Sequence, residues 1–204
     1  MAVALVGALG VAGSTLLLGG TAYSSWTPTP SPLEGSAAAA AGTSCRTALG
    51  EPLRQSEQVL IAERRGDWTY VLFGSSHAEG ACVLPNDVVD GQDLTGYRGD
   101  IMASYDPDVP SAPHTAPDGI VEVWSMVGTT DEGGVIWSNG YVGSDVVGVI
   151  VHTPGGSDVQ ASVSNGRFAA WWPVGDVTGD DPAMAAAWTF TVTLADGSTR
   201  ESDG

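Results

Sequence analysis

Histidines, serines and carboxylates are the residues of this chain whose types could support catalysis. His77 lies in the stretch GSSHAEG with Ser75 and Glu79 nearby, and a serine hydrolase needs such a hydroxyl, base and acid to converge. No nucleophile motif such as G-x-S-x-G accompanies His77, and His114 and His152 lie far along the chain. We therefore predict a polar loop at His77, no catalytic residue and a protein that is not an enzyme. The alternative is a hydrolase whose site assembles only in the fold.

The sequence motifs give little support for a bound metal or cofactor. The stretch GDVTGDDP (175–182) has the composition of a calcium loop, but it lacks the D-x-[DN]-x-[DN]-G register and the bidentate Glu. No Gly-rich phosphate motif follows a predicted strand. The sequence therefore predicts no metal site and no cofactor. The RGD tripeptide at 65–67 is explained as a hairpin turn, for which Gly66 supplies a positive φ.

Two adjacent tryptophans in RFAAWW (167–172) form the strongest candidate for binding. Successive residues of a strand point to opposite faces, so Trp172 shares a face with Phe168, whereas Trp171 shares the other face with Arg167. We predict that Phe168 and Trp172 belong to the core. Trp171 has three open fates: a neighbouring loop covers it, it packs against a second layer, or it is exposed beside Arg167 as a platform for cell-wall glycan or peptide.

The two cysteines, Cys45 and Cys82, have no second Cys or His at metal-ligand spacing. In an exported domain such a pair predicts one disulfide, and the alternative is two buried thiols.

Charge limits the class of partner. The chain carries 24 acidic residues against seven arginines and no lysine, which gives a net charge of −17. Such a field repels phosphate backbones, so we predict that nucleic acid is not a partner. The acidity favours cations or basic partners, or serves solubility alone.

The first residues predict attachment to a membrane. Residues 1–23 are apolar and uncharged, and their length suits a single membrane span rather than the shorter apolar core of a signal peptide. The alternative is secretion after cleavage near Ala22. Residues 24–44 are rich in Pro, Ala and Ser and predict a flexible linker, with Trp26 at the membrane interface. The folded part is expected outside the cytoplasm, at the plasma membrane.

The rest of the chain predicts a mainly β protein. Apolar runs at 58–62 and 68–73 flank a turn, and TFTVTL (189–194) alternates strictly between apolar and Thr. A short helix is expected within 46–57. We predict an N-terminal β subdomain at 45–105, a Pro-rich connection at 106–119 and a C-terminal antiparallel β subdomain at 120–200. Short strands at this spacing indicate an antiparallel sandwich or a small barrel, as one domain or two.

Two segments resemble a known group of proteins: GYVGSDVVGVIVHTPGGSDVQASVSNGRFAAWWP (140–173) and TFTVTLADGST (189–199). They resemble uncharacterised membrane-anchored extracytoplasmic proteins of actinobacteria. The resemblance implies a β-rich exported domain and carries no catalytic activity.

Taken with the charge and the apolar start, these observations predict a non-catalytic, membrane-tethered extracytoplasmic interaction or sensing module. Its partners are expected to be the bilayer, through 1–23, and an envelope protein or the cell wall. The alternative is a module that binds cell-wall glycan or peptide through Trp171.

Overall fold

Three antiparallel β-sheets dominate the computed structural model of the protein. It describes residues 23–50, 57–91, 101–109, 112–175 and 187–203. The predicted mainly β, antiparallel class is confirmed, whereas the small barrel is wrong because the sheets remain open.

Sheet A has five strands in the order β1-β2-β3-β4-β5. Its strands are Ser31–Pro32 (β1), Gln58–Arg65 (β2), Trp68–Gly74 (β3), Glu79–Pro85 (β4) and Met102–Asp106 (β5). Two helices accompany it, Gly35–Leu49 (α1) and Asn86–Val89 (α2). The apolar runs predicted as strands on either side of the RGD turn are therefore β2 and β3, and Gly66 turns between them with φ 62°.

Sheets B and C have four strands each, in the orders β10-β11-β7-β6 and β13-β12-β8-β9. Sheet B contains Ile120–Thr130 (β6), Gly133–Val142 (β7), Ser162–Ser164 (β10) and Arg167–Val174 (β11). Sheet C contains Val146–His152 (β8), Asp158–Gln160 (β9), Thr189–Leu194 (β12) and Thr199–Ser202 (β13). The turn between β10 and β11 is Asn165-Gly166, with φ of 54° and 71°. Both residues adopt the left-handed conformation that a tight hairpin of this type requires.

The layers stack in the order α1, sheet A, sheet B, sheet C. One apolar cluster joins α1 to sheet A, a second joins sheets A and B, and a third joins sheets B and C. Sheet B is therefore covered on both faces. Its strand β11 sends Trp171 towards sheet A, and Phe168 and Trp172 towards sheet C, where Phe168 packs edge-on to Phe190 with 5.5 Å between ring centroids. The predicted core positions of Phe168 and Trp172 are confirmed.

Residues 24–44, predicted to be a flexible linker, form part of the fold instead. The Ala-rich run lies in α1, where Ala41 is fully buried against sheet A, and Gly50 ends the helix with φ 65°. Alanine has the highest helix propensity, so the run that resembled a linker by composition becomes helical once sheet A covers one side. The short helix expected within 46–57 is thus the last turn of a longer helix, and 51–56 lie outside the described residues.

The chain ahead of α1 is also packed. Trp26, predicted to lie at a membrane interface, contacts Trp171 edge-on with 6.2 Å between ring centroids. Tyr23 is buried, its hydroxyl pairs with the Thr130 hydroxyl at 2.7 Å, and its backbone N–H donates to Glu132 at 3.0 Å. Tyr23 therefore belongs to the protein core rather than to the end of a membrane span. No helix within the described ranges is long and apolar enough to cross a membrane, and residues 1–22 lie outside them.

A buried ion pair fixes this N-terminal segment. Arg65 and Glu63 on β2 are both fully buried, and Arg65 Nε donates to Glu63 Oε1 at 2.6 Å. The remaining Arg65 donors reach the carbonyls of Pro28, at 2.8 Å, and Gln160, at 2.6 Å. Ser162 donates to the other Glu63 oxygen. One guanidinium thus joins the N-terminal segment, sheet A and the β9–β10 region. The same burial makes Arg65 unavailable for recognition as part of an exposed RGD motif.

The disulfide predicted between Cys45 and Cys82 is confirmed, and it ties α1 to β4. Both cysteines are fully buried.

Replacing both cysteines by serine is expected to lower the free energy of unfolding by about 3–4 kcal/mol, because the bridge restricts a loop with 37 residues of sequence separation in the unfolded chain. Urea denaturation of the variant and the oxidised wild type measures the difference. A change below about 1 kcal/mol would contradict a stabilising role of this bridge.

The two predicted subdomains share one core. Leu72 and Val83 from the 45–105 region lie in the same buried cluster as Trp137 and Ala169 from the 120–200 region. Within 106–119, the described residues beyond Asp106 form no strand.

Candidate functional site

A cleft of about 530 Å³ opens between the edge strands of sheets A and B. Sheet A contributes Glu79 from β4 and Ser104 and Asp106 from β5, and sheet B contributes Trp124 from β6 and Tyr141 from β7. The loop after β5 closes one side. The cleft combines carboxylates on one wall with aromatic residues on the other.

Strand alternation explains how these side chains face each other. Ser104 and Asp106 are in phase with Met102, which packs into the core between sheets A and B. Tyr141 is likewise in phase with Trp137 of that core. On β6 the register slips by one residue at Val123, which lies 44% exposed at the rim of the cleft. Such bulges re-aim side chains beside sites, and here the bulge precedes the residue that lines the cleft, Trp124.

The inner end of the cleft holds a buried ion pair across the two sheets. Arg167 on β11 donates from Nη2 to Glu79 Oε2 at 2.5 Å and from Nε to the Gly140 carbonyl at 2.9 Å. Its guanidinium carbon lies 4.1 Å from the centroid of the Tyr141 ring, a cation–π contact. The inner end of the cleft therefore already shows one way of holding a cation, between a carboxylate and an aromatic face.

The charge on Glu79 is set by opposing influences. Burial raises the pKa of Glu79 above its usual value, Arg167 lowers it, and Asp106, directly opposite on β5, raises it again. The net direction is upward. A positive charge placed beside Asp106 would offset this repulsion between the two carboxylates.

The outer part of the cleft has a carboxylate and an aromatic ring, and no described residue places a cation beside either of them. Asp106 is exposed and accepts a hydrogen bond from the Asp108 N–H at 2.9 Å, and no ion pair among the described residues includes it. The Trp124 ring is half-buried and held edge-on against Trp137, with 5.9 Å between centroids. The outer cleft therefore has the same residue chemistry as the inner end, a carboxylate and an aromatic ring, with no arginine from the described ranges.

Trp171 and Arg167, predicted to form an exposed platform if unpacked, lie in the interior. Trp171 is 0% exposed and Arg167 is 5% exposed. Sheet A covers the face of β11 that carries both, which is the packed fate left open for Trp171. A glycan at the surface of this fold cannot reach the Trp171 ring, so the surface role predicted for these two residues is wrong.

The histidines are not brought together with a nucleophile. His77 and His114 are exposed, and His152 pairs with Asp158 at 2.7 Å and with Thr191 at 2.7 Å. The Ser75 hydroxyl accepts hydrogen bonds from two amides of its own loop. Among the described residues no group of three or more His, Cys, Asp or Glu could hold a metal ion. Most of the calcium-like loop, 176–182, lies outside the described residues.

Sequence reasoning missed the cleft because its walls come from segments far apart in the chain. The sequence predicts Asp106 to lie in the Pro-rich connection, and it shows Glu79 only as a neighbour of His77. The signal present in the sequence was Arg167, a basic residue in phase with apolar neighbours on a strand, which requires a buried acidic partner.

Comparisons of this chain with models of protein families, with curated proteins and with solved structures found no match.

Proposed function

We propose that this protein is a non-catalytic extracytoplasmic interaction module that binds a basic segment of a partner protein in the cleft between β5 and β6. The observation that carries the proposal is that Asp106 and Trp124 line the same cleft, beside an inner end where Arg167 contacts both Glu79 and the Tyr141 ring. A lysine or arginine of a partner would reproduce that arrangement.

The charge of the whole chain supports a basic partner. The net charge is −17, and within the described ranges four arginines are paired with acidic residues of the chain itself. The excess of carboxylates attracts basic partners over a distance of about 8 Å at physiological ionic strength and speeds their encounter.

The location outside the cytoplasm rests on two features. The buried Cys45–Cys82 bridge suits an oxidising compartment, and the residues up to 22 are apolar and uncharged. We propose that 1–22 anchor the domain to the plasma membrane, with secretion after cleavage near Ala22 as the alternative. The resemblance to actinobacterial membrane-anchored extracytoplasmic proteins agrees with the anchor.

Binding is tested by titrating the purified full chain with the peptide Ac-TVRVRVT-NH2 and with its acidic counterpart Ac-TVEVEVT-NH2, by calorimetry. The basic peptide is expected to bind and the acidic one is not, with affinity that falls as salt is added. Asp106→Asn and Trp124→Ala are each expected to weaken binding by about tenfold, the scale of one charge-assisted or cation–π contact.

The matched control is Asp203→Asn, which removes the same charge from an exposed position near the C-terminus and should leave the affinity unchanged. If all three variants bind alike, or if both peptides bind equally, the proposal is wrong. Retention on purified cell-wall glycan that depends on Trp124, without binding of the basic peptide, would overturn it in favour of a glycan module.

A further inference from the structure

We infer that the bound segment lies as an extended strand along the open edge of β6 and extends sheet B by one strand. This inference rests on the proposed function, since it specifies how the basic segment reaches the cleft. It names an interaction surface, the outer edge of β6, in addition to the cleft itself.

β6 is an unusual edge strand in this fold. It has 11 residues, whereas the other edge strands formed by the described residues have two to five. Short edge strands are one way in which proteins avoid pairing with other chains. The edges of sheets A and C, and the β10 edge of sheet B, follow that rule, and β6 does not.

The outer edge of β6 has backbone groups that could pair with an added strand. In the described part of the chain β6 forms a ladder with β7 alone. Along an edge strand, alternate residues direct their N–H and C=O groups away from the sheet, where an added strand can bond them.

β6 also carries few of the devices that protect an edge. It contains no Pro and no Lys, and its one charged residue, Glu122, accepts hydrogen bonds from Ser138 and Trp188 of this chain. The bulge at Val123 interrupts the ladder, which limits regular pairing to 124–130. The part of the edge that is open to regular pairing therefore begins at Trp124, the residue that lines the cleft.

The placement of β5 over β6 sets which side chains of the added strand enter the cleft. Met102, at the start of β5, lies against Gly128, and Asp106, at its end, lines the cleft with Trp124. β5 therefore crosses the same stretch of β6 that remains available for pairing. A strand beside 124–130 would direct alternate side chains towards β5, and a basic one next to Trp124 would meet Asp106.

The occupant is a basic segment of another protein rather than a second copy of this chain. Two copies meeting at β6 would bring together two chains that each carry a net charge of −17, and Asp106 of each would remain without a cation. A basic extended peptide satisfies both the ladder and the carboxylate. Pairing through the backbone supplies affinity, and the side chain in the cleft supplies selectivity.

The test is a scan of Ac-TVRVRVT-NH2 in which one backbone nitrogen at a time is methylated, with the wild-type full chain as receptor. Methylation removes an N–H donor and leaves the protein untouched, so no variant needs to fold. Strand addition predicts an alternation: methylation at every second residue weakens binding by about tenfold or more, and methylation at the residues between them has little effect. The amides of β6 that face outward should also gain protection from hydrogen exchange when the peptide binds.

The outcomes separate this inference from the proposed function. If the unmethylated peptide binds in a manner that depends on Asp106, but methylation has no period of two, the cleft binds basic segments and strand addition is wrong. If the unmethylated peptide does not bind, the proposed function itself fails. A dimer that forms without peptide, protects the β6 amides and persists when peptide is added would assign the edge to a second copy and overturn the inference.

Discussion

Replacing Arg65 by methionine is expected to lower the free energy of unfolding by about 3–5 kcal/mol, the scale measured when one partner of a buried ion pair is removed. The change leaves the Glu63 carboxylate, which is fully buried, without its cation. It also removes the donors that hold the carbonyls of Pro28 and Gln160. Urea denaturation followed by circular dichroism measures the loss.

The matched control for this prediction is Arg200→Met. Arg200 also pairs with a carboxylate, Asp118, but both side chains are more than 40% exposed, so the change should cost less than about 1 kcal/mol. The double variant Glu63→Met with Arg65→Met should recover part of the loss, because neither charge of this pair remains in the core. Equal losses in R65M and R200M would show that the buried Arg65 contacts stabilise the fold no more than the exposed Arg200 pair does.

The loss in R65M is also expected to shrink as the pH is lowered. In the wild type burial raises the pKa of Glu63, while Arg65 acts in the opposite direction. Without Arg65 the folded-state pKa rises further above the unfolded value. Between these two values the folded chain binds more protons than the unfolded chain, so the free energy of unfolding rises as the pH falls through that window. Denaturation curves of R65M and wild type at several pH values measure this convergence.

Replacing Trp171 by alanine is expected to cost about 3–5 kcal/mol, the range for removing a buried aromatic side chain and leaving a cavity. Trp171 lies opposite Trp137 on the neighbouring strand and contacts Tyr23 and Trp26 edge-on, with centroid distances of 5.8 Å and 6.2 Å. The truncation therefore opens space between sheets A and B and beneath the N-terminal segment. The measurement is again urea denaturation.

Trp124→Ala provides the comparison, since its ring is half-buried at the cleft and its removal should cost clearly less. Trp171→Phe should also cost less than Trp171→Ala because a ring remains in the space. A Trp171→Ala variant as stable as wild type would contradict the burial of this side chain between two sheets.

Local patterns predicted much of sheets B and C because these strands obey period two and their turns have distinctive residues. The division of Trp171 and Trp172 between two faces followed from β11 alone. The burial of Trp171 did not, since it depends on sheet A, whose contacts with β11 come from residues about 100 positions earlier, such as Trp68 and Tyr70. Alternation assigns a side chain to a face and leaves open what covers that face.

The error over 24–44 has a different cause. Ala, Gly and Ser are common both in flexible linkers and in helices that pack closely against a sheet, and local composition does not separate the two. In α1, Gly42 allows a close approach, since a Cβ at this position would lie 2.5 Å from Val59 Cγ2. The partner of Arg167 was equally hidden, because Glu79 lies 88 residues away.

The packing of Tyr23 determines how this domain would respond to a pull from its N-terminus. Tyr23 is hydrogen-bonded to Thr130 and Glu132, and the Pro28 carbonyl accepts a hydrogen bond from Arg65. The segment that begins at Tyr23 is therefore held against the fold and would not extend before these contacts break. Force transmitted from 1–22 would act at once on the β6–β7 hairpin, which also forms one wall of the cleft. With the proposed membrane anchor, tension in the envelope would act directly on the proposed binding edge of β6. It would not first extend a flexible linker between the membrane and the domain.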